Sequence, residues 1–521
     1  MTLSLLDSII VLLYLVGLFI LAQWVSRERS GHRKSARDYF LAGNALPWWA
    51  IGASLIAANI SAEQIIGMSG SGYAIGLAIA SYEWLAAATL LVVAKYFLPI
   101  FLRNGIYTMP QFLQHRFGDR IRTLMAVFWL GLYVFVNLTS ILWLGSLAIA
   151  HVSGIDQAWA LIGLAFFALA YQLYGGLKAV AMTDVVQVVL LVMGGLLLAS
   201  IMLTRIGGED GMIAGLGRLW SESPEHFSMI LSKDNPYYKD LPGIWVLLGG
   251  MWVMHFSYWG FNQYIIQRAL AAKNIGEAQK GLLFAAFLKL LMPLVVVLPG
   301  LAAVILASDL DRPDEAYPAM MSLLPVGVLG IVFAALIAAI VSSLASMANS
   351  IATIFTLDFY KRFSPQADEK HMVRVGRISA VVAMAIAGLV AQPLLGNFDQ
   401  AFQFIQEYTG FFTPGIVAIF VLGMFWKRCN EAGALAAALG SFVLSIAIKV
   451  MFPELPFINR VGVVFLLAIA LAMILSWVTP IPGPERDRIQ TEDVSFATSS
   501  AFNLGSAGVL AVLVALYASF W

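Results

Sequence analysis

The chain has 521 residues, of which 60% are hydrophobic and 12% charged, with a formal net charge of +1. Soluble globular domains carry roughly 25% charged residues, so this chain has too little polar surface to face water along its length. The near-neutral balance excludes a basic nucleic-acid footprint, and the single cysteine, Cys429, excludes an internal disulfide framework or a CxxC zinc spacing.

The first apolar run, about Leu3 to Gln23, carries one charge, Asp7, and lacks a positive leading segment. It is long for a signal peptide and reads as a retained span with its N-terminus outside. A bilayer core takes about 20 apolar residues as a helix. Such runs recur with centres near residues 14, 57, 88, 135, 165, 190, 254, 291, 340, 382, 411, 441, 468 and 509. The prediction is therefore fourteen spans. With the N-terminus outside, the inner breaks hold Arg27, Arg29, Arg33, Lys34 and Arg37, then Arg103, Arg116, Arg120 and Arg122, then Lys178. Further along they hold Arg268, Lys273 and Lys280, then Lys361, Arg362, Lys370, Arg374 and Arg377, then Lys427 and Arg428, and finally Arg486 and Arg488. The outer breaks hold Arg205, Arg218, Lys233, Lys239, Arg312 and Arg460. This asymmetry follows the positive-inside rule and puts both termini outside. The largest outer break, Gly207 to Leu241, is expected to carry a short surface helix. Gly67, Gly70, Gly72 and Gly76 superficially suggest a nucleotide-binding loop, but they follow no strand and are read as joining two spans on the outer side.

A charge at the bilayer centre costs roughly 2.5–3.5 kcal/mol, so polar groups inside the spans need a reason. Span two places Asn59, Ser61, Glu63 and Gln64 mid-helix. Span seven is glycine-rich and holds His255, Ser257, Tyr258, Asn262 and Gln263. Such residues let a helix unwind at mid-depth, which is tolerated where backbone lines a cavity or is buried in protein. Two broken spans five positions apart are the sign of a five-plus-five inverted repeat with its site at the breaks; the alternative is plain helix packing through Gly, Ser and Asn. Ser342 and Ser343 lie in one long span. With unwound carbonyls they would make an all-oxygen cage for a small hard cation; serines in membrane helices more often bond the preceding turn. Glu83 and Lys289 either pair with one another or present an acceptor and a donor to a hydroxylated ligand. Gln406, Glu407 and Asp184 complete the buried polar set, and Tyr258 offers a face for a sugar ring or for packing.

Several segments resemble the sodium/solute symporter family over nearly the whole chain. They are Asp38-Tyr-Phe-Leu-Ala-Gly43, Ala53 to Gln64, Ser81-Tyr-Glu-Trp84, Gly260-Phe-Asn-Gln-Tyr264 and Ile340-Val-Ser-Ser-Leu-Ala-Ser346. Two longer signatures run from Gly175 to Gln187 and from Gly423 to Arg428, the latter followed by Gly433-Ala434. The resemblance implies an all-α polytopic membrane protein with a leucine-transporter-type core. Residues 3–25 are then a first extra span, 46–204 the first repeat, 241–426 the inverted second repeat, and 431–521 three further spans.

It also implies residue roles. A sodium ion is expected at the carbonyls of Ala57, Ile60 and Ala339 and the hydroxyls of Ser342 and Ser343, with Asp184 on its exit route. Gln64, Glu83, His255, Tyr258, Lys289 and Gln406 are expected to contact a sugar. Asn59 and Asn137 brace that site, Met68, Tyr82 and Phe402 form an outer gate, and Tyr258 forms the inner one. Ala86, His255 and Ser257 depart from the serine, asparagine and tyrosine of sugar-carrying members, so the family implies the ion more firmly than the sugar. The expected activity is sodium-coupled import of a galactose- or glucose-like sugar across a bacterial inner membrane, with no nucleic-acid partner. Rival readings are symport of an amino sugar, polyol, carboxylate or amino acid, a passive channel, and an intramembrane enzyme. A channel would need a continuous polar lining, and an enzyme a nucleophile–base pair or metal cluster.

Overall fold

The computed structural model describes residues 3–26, 36–395, 401–479, 489 and 494–521. Among these the chain is helical, with one isolated parallel bridge between Leu46 and Ala272. An apolar chain in lipid must satisfy its backbone polar groups internally, which selects helices. Ten described helices are long and apolar enough to cross a membrane, or eleven if one bent pair counts as a span. The shortest of the ten has 20 residues, about 30 Å at ~1.5 Å per residue. The basic residues Arg27, Arg29, Arg33, Lys34, Arg486 and Arg488 lie outside the described residues.

Burial divides the helices into a centre and a rim. In Val328–Phe363 the most apolar window is 89% buried, against 22% in Leu5–Val25, 22% in Glu431–Met451, 28% in Phe457–Val478 and 17% in Ser500–Ser519. These four are the least buried of the ten, and Glu369–Leu395 follows at 33%. The central helices approach closely because their contact faces carry small residues. Gly52 and Gly281 meet where Trp48–Asn59 crosses Ile275–Val296; a Cβ on Gly52 would sit 2.7 Å from the Gly281 carbonyl oxygen.

Three interruptions shape the interior. Trp48–Asn59 ends at Ile60, which is extended (φ −76°, ψ 100°), and the chain resumes as Glu63–Ala74 after a bend of 61°. Gly250–His255 continues through a wider turn, Phe256–Phe261, and breaks at extended Asn262 (φ −86°, ψ 118°) before Gln263–Leu270. The far ends of these two broken helices are clamped together: Leu46 N–H donates to Ala271 O at 3.1 Å and Asn44 Nδ2 to Leu270 O at 2.8 Å. The third interruption, at residues 410–412, separates Ala401–Thr409 from Thr413–Phe425. The 51-residue run Gln157–Gly207 also changes direction at Gly176 (φ 61°, ψ −152°). A Cβ at Gly176 would lie 2.3 Å from the Tyr39 carbonyl oxygen, so only glycine fits there.

Two sequence expectations change. The glycine cluster is helical, not a loop: Gly67, Gly70 and Gly72 sit in Glu63–Ala74, and only Gly76 turns (φ 95°). These glycines admit neighbours closely, Gly67 taking Phe402 and Gly72 taking Val297. Arg268 is not in a polar break; it is fully buried within Gln263–Leu270. The large outer connection does carry a helix, Gly211–Glu222, followed by a short turn at Pro224–Phe227.

Candidate functional site

The breaks in the first two interrupted helices open onto one cavity, and the half-helix Ala401–Thr409 completes its wall. Gln64, Glu83, His255, Tyr258, Lys289 and Gln406 all line it, as do Asn59, Asn137, Met68, Tyr82 and Phe402. These eleven residues come from six segments separated in sequence, brought together where the broken helices meet the helices that cross them.

A relay of polar groups runs along one wall. Lys289 Nζ donates to Glu83 Oε2 at 2.5 Å and also to Asn59 Oδ1. Asn59 Nδ2 donates to the Tyr258 hydroxyl at 3.0 Å, which pairs in turn with the Tyr264 hydroxyl. The Lys289 ammonium lies 5.0 Å from the Trp259 ring centroid, a further favourable contact for a desolvated cation. Gln64 Oε1 accepts from the Ser61 hydroxyl at 2.7 Å and from its N–H at 3.1 Å. On the opposite side Tyr82 and Phe402 pack edge-to-face at 5.1 Å, with Phe402 seated against Gly67.

Some polar atoms of the cavity are left over. Among the described residues, Tyr82 OH, Asn137 Oδ1 and His255 Nε2 are buried with no hydrogen-bond partner. Leaving a buried polar atom unsatisfied costs about 1–3 kcal/mol. Three such atoms beside a fixed donor–acceptor pair and an aromatic wall suit a small neutral solute with several hydroxyl groups.

A second cluster of oxygens lies behind the first break. Ser343 Oγ donates to the carbonyls of Ala58 (3.0 Å) and Ile60 (3.4 Å). Because the Ser61 N–H turns to Gln64, the Ala57 carbonyl loses its helical donor. Ser342 Oγ donates to Asp184 Oδ1 at 2.5 Å, and Ser54 donates to the other Asp184 oxygen. Ala339 lies one turn before this pair on the same helix, buried. The serine pair therefore reaches across to other helices and does not simply bond its own preceding turn. Oxygen donors alone fit a hard alkali cation; among the described residues no three His, Cys, Asp or Glu side chains group as a metal set.

Sequence reasoning missed the residues that hold this cluster. Arg268 Nε donates to Ser54 Oγ at 2.9 Å, its other nitrogens reach Ser346 Oγ and the Tyr264 carbonyl, and it lies 3.8 Å from Asp184. Glu63, noted only as a polar residue in span two, accepts from Ser140 on a neighbouring helix. The one available signal for Arg268 was its position four residues after Tyr264, on the helix that follows the break.

Residues 39–440 match the model of the sodium:solute symporter family. The chain is 51% identical over 537 aligned residues to a sodium/glucose cotransporter of Vibrio parahaemolyticus, covering 100% of this chain and 99% of that one. It is 34% identical to sodium/myo-inositol cotransporter 2 of Mus musculus, over 84% of this chain and 69% of that one. Among solved structures, a substrate-bound, outward-open sodium-coupled sialic acid symporter superposes with a TM-score of 0.78 at 22% identity, covering 92% of this chain and 98% of that one. A nucleobase-cation-symport-1 family transporter in a closed conformation superposes with a TM-score of 0.55 at 15% identity, covering 88% and 99%.

Proposed function

The chain belongs to the sodium:solute symporter family, and we propose that it imports a glucose- or galactose-like sugar by alternating access. Family membership makes it a multi-pass, sodium-coupled transporter and not an enzyme. The observation that carries the sugar reading is the cavity wall itself, in which the Glu83–Lys289 pair stands among unsatisfied polar atoms and aromatic rings. The sodium/glucose cotransporter relative supports the same solute class. A carboxylate solute fits less well, since Glu83 would repel it and Lys289 is already paired.

The roles read from sequence then become specific. Gln64, Glu83, His255, Lys289 and Gln406 hydrogen-bond the sugar, and Tyr258 stacks on it and closes the inner side. Met68, Tyr82 and Phe402 close the outer side, while Asn59 and Asn137 brace the wall. Sodium sits among Ala57, Ile60, Ala339, Ser342 and Ser343, and Asp184 lies on its exit route from that site. We read the chain as fourteen spans, with 46–204 and 241–426 as inverted repeats between one leading and three trailing helices. The matched extended residues Ile60 and Asn262 support that reading, as does Gly176 dividing a run long enough for two spans. The setting is a bacterial inner membrane with both termini outside.

Coupling follows from the break. Ser343 already links the central helix to the carbonyls at the end of Trp48–Asn59. A sodium ion there holds the two elements in one arrangement, and it drives transport only by binding one conformation better than the other. One charge moving through 100 mV supplies ~2.3 kcal/mol, enough for about 50-fold accumulation of a neutral solute.

The test is uptake of radiolabelled glucose and galactose into proteoliposomes, with and without an inward sodium gradient. Sodium-dependent accumulation of either sugar is the expected result. Absence of uptake by protein that still binds sodium would discard the sugar and move the search to amino sugars, polyols and carboxylates.

A further inference from the structure

One carboxylate ties the half-helix wall of the cavity to two peripheral helices. Glu407 Oε1 accepts from Arg460 Nη2 at 2.8 Å and from Lys449 Nζ at 2.9 Å. Arg460 is in the first turn of Phe457–Val478 and is buried, whereas Lys449 is in the last turn of Glu431–Met451 with its side chain 40% exposed. Both cations also lie over the Phe411 ring, at 5.0 and 5.5 Å from its centroid. Ser445 Oγ donates to the Phe411 carbonyl at 3.2 Å, and a Cβ on Gly410 would lie 3.1 Å from Val461. The turn at 410–412 is thus gripped by two helices that lie outside the repeats.

That turn is the base of Ala401–Thr409, which places Phe402, Ile405, Gln406 and Thr409 on the cavity. The remaining acidic group facing Glu407 is Asp240, in the outer connection; burial and the Glu407 charge raise its pKa above the ordinary carboxylate value. Removing Glu407 strands a buried arginine and frees a half-helix that carries one sugar-contacting amide and one gate ring.

We propose that Glu407 is a positioning residue: by holding Arg460 and Lys449 together it sets Phe402 and Gln406 over the cavity, so the helices outside the repeats tune sugar affinity. The inference rests on the sugar reading above for its readout, though not for its geometry.

Glucose uptake kinetics in proteoliposomes test it. Glu407→Gln is expected to raise KM about tenfold, the loss of one charge-assisted contact, while Vmax and the half-saturating sodium concentration shift less than about twofold. The swap Glu407→Arg with Arg460→Glu is expected to bring KM back within about threefold of the unaltered protein. Lys449→Met, an exposed and milder change, is expected to raise KM about threefold and serves if Glu407→Gln fails to insert. An unchanged KM in both single variants overturns the proposal, as does an equal loss of sugar and sodium affinity that the swap does not recover. Backbone hydrogen exchange across 401–412 gives a sugar-independent arm. Should the unaltered protein take up neither sugar, the sugar reading falls and exchange alone decides: about tenfold faster exchange in Glu407→Gln upholds the clamp, and unchanged exchange overturns it.

Discussion

Lys289 and Glu83 meet at 2.5 Å with side chains only 1% and 3% exposed. Each charge alone is costly at this depth, and together they largely offset one another. Pairing and presentation to a ligand looked like alternatives in the sequence; in the structure the same two groups are paired and line the cavity. On the sugar reading proposed above, a hydroxylated solute would meet a donor and an acceptor that already hold one another in place.

Breaking this pair on one side should damage both folding and transport. Glu83→Gln leaves Lys289 buried without its counter-charge, a loss of about 3–5 kcal/mol where nothing relaxes. The detergent-solubilised variant should melt at lower temperature and take up no glucose. Glu83→Gln combined with Lys289→Met removes both charges, and should recover most of the thermal stability while uptake stays below about a hundredth of normal. Uptake returning together with stability would show that the pair serves packing alone.

His255 should govern which sugar is preferred. Its Nε2 is buried without a partner among the described residues, and its ring lies 6.4 Å from that of Tyr82. His255→Asn exchanges an imidazole for a shorter amide with a different donor–acceptor set. The ratio of glucose to galactose kcat/KM is expected to change about tenfold, because sites built around hydroxyl hydrogen bonds discriminate by leaving groups unpaired. Competition uptake measures this ratio directly, and an unchanged ratio would remove His255 from the sugar site.

The breaks were legible in the sequence because an apolar helix can hold Asn, Ser, Gly and Gln in mid-run only where something interrupts it. That local signal located Ile60 to Gln64 and the stretch before Gln263, and so the cavity. Partnerships across the fold were not legible. Ser54 and Asp184 are 130 residues apart, and nothing within a helical window of either announces the other. Arg268 was misread for the same reason: a charge near a span end looks like a loop residue until Ser54, Ser346 and Asp184 are seen to enclose it. The glycines after Gln64 were misread because helix packing and loop formation both favour glycine, and only the neighbours Phe402 and Val297 decide between them.

Asp7 served in the sequence only to argue against a signal peptide, yet it caps the helix that bears the serine pair. Its Oδ1 accepts from the N–H groups of Gly327 at 2.8 Å and Gly330 at 2.7 Å, and its Oδ2 from the N–H of Ser4 at 3.2 Å. A carboxylate at a helix N-terminus satisfies orphan donors and complements the positive end of the dipole. Asp7→Asn keeps the shape and one acceptor but loses the charge, so a destabilisation of about 1 kcal/mol is expected. Asp7→Ala should cost about 2 kcal/mol, and thermal melting in detergent should rank the three proteins in that order. Equal melting temperatures would mean that the Asp7 carboxylate contributes nothing as a cap of the central helix.

Ser343 offers the sharpest separation of ion from solute. Its hydroxyl bridges the central helix to the carbonyls of Ala58 and Ile60, whereas Ser342 is turned toward Asp184. If sodium takes a place among these oxygens, with the intact Ser343 hydroxyl turned to offer a lone pair, Ser343→Ala removes one ligand and one interhelical contact without touching the cavity wall. The half-saturating sodium concentration should rise about tenfold or more, equivalent to ~1.4 kcal/mol. Sugar KM measured at saturating sodium should stay within about twofold, since the cavity-lining groups are unchanged. Ser342→Ala should give a smaller rise in sodium requirement, because Asp184 keeps Ser54 and Arg268 as partners. Uptake measured against sodium at fixed glucose, then against glucose at fixed sodium, separates the two effects. A Ser343→Ala protein with normal sodium dependence would move the ion site elsewhere, whereas a selective sodium defect would place the coupling at the junction of Ile60 and the central helix.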